Sequence, residues 1–80
     1  MNKLRLIKWG SNAIQIMGNE MSILFSYETP VACHISGEGY KRTAAHHSST
    51  TTRHINDWLR REGSALNVKT EPQEYFDKLL

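Results

Sequence analysis

The stretch Ser49 to Gly63, STTTRHINDWLRREG, constrains this chain more than any other, because it alone carries a full set of helix signals. Ile55, Trp58 and Leu59 stand at i, i+3 and i+4, which puts three large apolar side chains on one helical face. Arg53, Asn56, Asp57 and Arg60 fall elsewhere on the wheel and predict a wet opposite side. Ser48 to Thr52 is a hydroxyl run that offers a choice of N-caps, with Ser49 or Thr50 the expected one. Arg60 and Arg61 suit the negative end of the helix dipole, and Gly63 suits a left-handed exit.

Everything before that helix reads as strand and turn. Leu4 to Trp9 alternates apolar and basic residues, with Leu4 and Leu6 on one face and Arg5, Ile7 and Trp9 on the other. Gly10-Ser11-Asn12 is a turn, Ala13 to Met17 a second strand, and Gly18-Asn19 the next reversal. Ser22 to Tyr27 follows, its Ile23, Phe25 and Tyr27 pointing one way and Leu24 the other, the pattern of a central strand covered on both sides. Pro30 interrupts the run, and Val31, Cys33 and Ile35 then share a face. Ser36-Gly37-Glu38-Gly39 is a hairpin loop leading into the return strand Tyr40 to Ala44. The fold class expected is α+β: an antiparallel sheet of four to five strands, one main helix from Thr50 to Glu62 packed across it, and a short C-terminal helix. Trp58 should be the largest anchor, with Ile55, Leu59, Ile23 and Phe25 around it.

Eighty residues allow a single core. The domain should occupy 1–63, leaving 64–80 as a connector (Ser64 to Thr70) and a short helix, PQEYFDKLL. With Tyr75 and Phe76 as candidate surface aromatics and the sheet edges exposed, a homodimer contact is expected through this tail or an edge strand. A net charge of +2 permits a nucleic-acid partner without demanding one. The lone Cys33 excludes an internal disulfide and every multi-cysteine zinc site. No apolar run approaches the ~20 residues that span a bilayer, so the expectation is a cytoplasmic protein without membrane contact.

Three words of the sequence, FSYETPVA (Phe25 to Ala32), GxGYxRT (Gly37 to Thr43) and TTxxHINxWL (Thr50 to Leu59), occur in order at short intervals. Their pairing resembles a family of small uncharacterised bacteriophage proteins, over roughly Ile23 to Leu59. The family carries no established activity. What the resemblance implies is a compact accessory protein acting on a host component, including counter-defence proteins that bind a protein, a nucleic acid or a nucleotide.

The chemistry-bearing residues point to binding rather than catalysis. Histidines 34, 46, 47 and 54 do not show the spacing of a zinc site, since adjacent His46 and His47 face opposite sides if extended. Cys33 and His34 are strand neighbours and also face apart, so they form no nucleophile–base pair. Carboxylates Glu20, Glu28 and Glu38 lie singly at turns, and no glycine-rich loop cradles a phosphate. A small metal- or cysteine-dependent enzyme is the third alternative, and no cofactor is expected. The candidate ligand surface joins Tyr40, Lys41, Arg42 and His47 to the helix entry Thr51, Thr52, Arg53 and His54. Helix-start amides attract anions, threonine hydroxyls add donors, arginine supplies a fork and Tyr40 a stacking face. The same hydroxyls also serve as plain caps. The partner expected first is a host protein, with a nucleic acid or nucleotide as the alternative.

Overall fold

The computed structural model describes residues 5–10, 12–62 and 68–79. Its elements run β1 (Arg5–Lys8), β2 (Ala13–Met17), β3 (Met21–Ser26), β4 (Thr29–Ile35), β5 (Gly39–Thr43), α1 (Ser49–Glu62), β6 (Val68–Glu71) and α2 (Gln73–Asp77). The class is α+β with a main helix and a short C-terminal one, as the residue pattern predicts. The strand count differs: the sheet has six strands in the order β1-β2-β3-β4-β5-β6. Five of them form an antiparallel meander, and β6 lies parallel to β5. The sixth strand comes from the stretch read as a connector, where Val68 is the only apolar residue beside Lys69, Thr70 and Glu71. Its strand signal is weak, and the unpaired edge of β5 supplies the rest once α1 has carried the chain across. The glycine exit at position 63 lies outside the described residues, as do Leu4, Leu66 and Leu80.

Two helices sandwich the sheet. On one face α1 buries Ile55, Trp58 and Leu59 against Leu24, Val31 and Ala32, with Trp9, Tyr40 and Val68 at the margin. On the other, Phe76 of α2 packs with Ile23 and Cys33, flanked by Met21, Phe25, Ile35, Tyr75 and Leu79. Alternation along β3 therefore serves both layers. It does not say which layer receives the longer helix. Ile23 and Phe25, expected around Trp58, belong to the α2 layer, and Leu24 takes their place beneath α1.

A bulge in β4 corrects a second expectation. Leu24 pairs with Ala32 and Phe25 with Pro30, so Val31 is the extra residue. It joins the α1 cluster, whereas Cys33, two residues on, joins the α2 cluster. Proline tolerates this spot because a bulge leaves one amide out of the ladder. The two-residue turn before it places Tyr27 at φ 59°, a conformation glycine normally supplies. Tyr75 and Phe76 are also not surface aromatics. Phe76 is fully buried and Tyr75 half-buried, so the expected tail-mediated dimer contact loses its apolar basis.

Candidate functional site

The eight residues expected to share one ligand surface lie in four places. Tyr40 and Arg42 point from β5 toward α1, two residues apart on the same face. The Tyr40 ring lies 4.4 Å from that of His34 and 5.6 Å from that of Trp58, and its hydroxyl reaches Glu62 Oε1 at 3.4 Å. Arg42 Nη1 donates to Asn56 Oδ1 at 3.0 Å. Because α1 runs back across the sheet, β5 meets its middle and C-terminal end, not its first turn.

Lys41 lies on the opposite face. Its amine donates to Glu38 Oε1 at 2.6 Å and to the Tyr75 hydroxyl at 2.9 Å, and Glu71 Oε2 is 3.8 Å away. The hydrogen bond from Lys41 holds the Glu38 carboxyl below the usual carboxylate range. The same bond, with that to Tyr75, raises the lysine above its ordinary value. The group fastens α2 to the sheet and is not available to a ligand. His47 serves the same side: its Nε2 and the Thr43 hydroxyl both meet Gln73 Oε1, at 3.0 and 2.9 Å. Gln73 Nε2 donates to Pro30 O at 2.7 Å and to Asp77 Oδ1 at 3.1 Å, which sets the amide's orientation and puts the proton on His47 Nε2.

The helix entry is a closed hydroxyl chain. Ser48, one residue before the expected caps, is the N-cap: its Oγ accepts the Thr51 N–H at 3.2 Å. Ser48 Oγ lies 3.3 Å from Thr51 Oγ1, Thr51 Oγ1 2.9 Å from Ser26 Oγ, and Ser26 Oγ 2.8 Å from His54 Nδ1. Ser48 Oγ donates to Thr51 Oγ1, and the chain runs on through Ser26 to Nδ1 of His54. Ser26 and Thr51 are 2% and 5% exposed, so neither hydroxyl meets a substrate. Only Thr52 and Arg53 of the expected cluster face outward without such an engagement. Sequence reading missed Ser26 because its partner lies 28 residues away.

A different surface stands open at the β1 end of the sheet. Among the described residues α2 packs on the β3–β5 part of its face, and on the β1–β2 part Leu6 is 72% and Ile14 38% exposed. Across the sheet, Trp9 Nε1 donates to the buried Gln15 Oε1 at 2.9 Å, which fixes the indole in place. The Arg61 guanidinium lies over that ring at 5.0 Å. Trp9, Asp57, Arg60 and Arg61 line an open cleft of about 370 Å³. Arg60 meets Asp57 at 3.5 Å while remaining largely in solvent. The alternation of Leu6 with Arg5 and Ile7 was legible; that α2 stops short of it was not.

Among the described residues no three His, Cys, Asp or Glu side chains gather as a metal site, and no helix is long and apolar enough to cross a membrane. The geometry defines a small α+β domain, a mixed sheet held between unequal helices with one end of one face uncovered. The chain belongs to the family of unknown function DUF8033, whose model matches residues 4–78. No curated protein matches it, and no solved structure does.

Proposed function

We propose that this chain is a non-enzymatic protein-binding module, a phage-type accessory factor that docks on a host protein in the cytoplasm. The observation that carries the reading is the uncovered sheet face, where Leu6 and Ile14 stand in solvent on the layer that elsewhere buries Phe76. A small domain keeps such a surface at a cost in solubility, and a partner that covers it removes that cost. The three phage-like words support the provenance. A polyanion partner is the lesser reading, because Lys41, Arg42 and His47 are spent on internal partners. What favours it is the Trp9–Arg60–Arg61 cleft, which pairs a stacking ring with cations.

The test is capture from host lysate by the wild-type chain and by Leu6→Glu and Ile14→Glu, each with a urea melt to show that it folds. The module reading expects one protein retained by wild type, lost from both variants, and little affected by salt. A complex that survives both substitutions, or one that falls steeply between low and moderate salt as phosphate contacts do, overturns it.

A further inference from the structure

β1 is an edge strand, and the ladder beside it shows which of its groups are free. The N–H of Trp9 bonds the carbonyl of Ala13, and Ile7 and Arg5 stand opposite Gln15 and Met17 in the same alternation. Those pairs carry the bonds to β2, so Leu6 and Lys8 turn their N–H and C=O outward. An incoming strand would lie about 4.8 Å beyond β1, with side chains alternating between the two faces of the sheet. On one face they would meet Leu6 and Lys8, with Ile16 behind the first and the exposed Ile14 behind the second. On the other they would meet Arg5 and the cleft of Trp9, Arg60 and Arg61.

Charge selects the occupant. Arg5, Lys8, Arg60 and Arg61 are exposed around this edge, with Asp57 the one acid lining the cleft. A second copy pairing through β1 would bring the same cations together along one seam, which like-charge repulsion opposes. An acidic strand meets the opposite situation. We infer that β1 takes up an extended segment of a partner protein whose side chains alternate apolar and acidic, adding it to the sheet as a further strand. Apolar residues of that segment cover Leu6 and Ile14, its carboxylates reach Arg5, Arg60 and Arg61, and its backbone pairs with Leu6 and Lys8. This rests on the protein-binding reading and names the partner's chemistry.

The experiment titrates the isotope-labelled full chain with capped synthetic peptides of about eight residues, long enough to cover a short strand. One alternates valine with glutamate, one valine with lysine, and one holds the valines and glutamates in two blocks. The alternating acidic peptide should bind saturably, shift the Leu6 and Lys8 amides and slow their hydrogen exchange. The lysine and block peptides should bind at least about tenfold more weakly, the scale expected when two exposed charge pairs are lost. Arg60→Glu with Arg61→Glu should reverse the preference toward the lysine peptide; Arg60→Gln with Arg61→Gln should abolish it. The idea falls if the block peptide binds equally well, or if the shifts miss Leu6 and Lys8. It also falls if the chain doubles its mass without peptide, or if a single-stranded oligonucleotide moves the same amides more strongly. Should no peptide bind while Leu6→Glu still abolishes capture of a host protein, strand addition is refuted and the apolar-face reading stands.

Discussion

Trp58 gives the sharpest test of how this domain is held together. Its side chain is fully buried among Leu24, Val31, Ala32, Ile55 and Leu59, with the Tyr40 ring edge-on to it. Among the described residues its indole N–H has no hydrogen-bond partner. Burying about 200 Å² of aromatic surface at ~25 cal/mol per Å² is worth about 5 kcal/mol, and large-to-Ala substitutions in cores cost about 3–5 kcal/mol. A domain of this size has about 4–12 kcal/mol in all. Trp58→Ala should therefore leave the chain at or near its unfolding midpoint in plain buffer. Trp58→Phe should behave quite differently. It keeps a ring in the cluster and removes a buried N–H whose unpaired burial costs about 1–3 kcal/mol, which offsets much of the lost volume. It should stay within about 1.5 kcal/mol of wild type, as near-isosteric core changes do. Urea unfolding followed by far-ultraviolet circular dichroism separates the two. At a slope of about 1 kcal/mol per molar urea, Phe moves the midpoint by about 1 M and Ala by several. If Phe costs as much as Ala, the indole N–H makes a stabilising bond and the packing argument is wrong. If Ala costs nothing, α1 does not rest on the sheet through Trp58.

Two groups on the α2 face set the remaining outcomes. Glu38, with its carboxyl held low by Lys41, contributes stability that is full above about pH 4.3 and fades as pH falls through its depressed folded value. Glu38→Gln should flatten the acid limb of a melting-temperature profile, and a profile of unchanged slope would remove the Lys41 pairing from the stability of the fold. The Cys33 thiol is buried and pushed up to about 11 by that burial. Because the unfolded thiol ionises first, stability should decline as pH rises above about 8.5. At pH 8 a disulfide reagent should label Cys33 only as fast as the chain unfolds; immediate labelling of the folded chain would place the thiol at the surface.

The main helix was legible in the sequence because every signal for it is local: the Ile55–Trp58–Leu59 stripe, the hydroxyl run and the two terminal arginines sit within its own turns. The two-sided character of β3 was legible for the same reason, since alternation is a property of neighbouring residues. β6 was not, because a single apolar residue in VKTE is too weak a signal, and the strand exists by pairing with β5. The candidate site fared worse than the fold. Tyr40 and Arg42 do share a face, as residues two apart must. Their partners were invisible, since Asn56 and Glu62 become neighbours only when α1 folds back.

What the sequence by itself determined is therefore periodic and local: an α+β chain, a Trp58-centred helix, a hairpin turning at Gly37 to Gly39, and a strand apolar on both faces. What only the tertiary structure decided is which face each layer took and which polar groups were consumed in joining the layers. Lys41, His47, Thr51 and His54 read as ligand-binding residues, yet each bridges two elements far apart in sequence. Leu6 and Ile14 read as ordinary strand residues, yet they lie where the short second helix runs out and stay uncovered. The cause is the same throughout. A side chain's type is written at its position, but its partner is set by packing, and buried polar groups take whatever donor or acceptor the packing brings within reach.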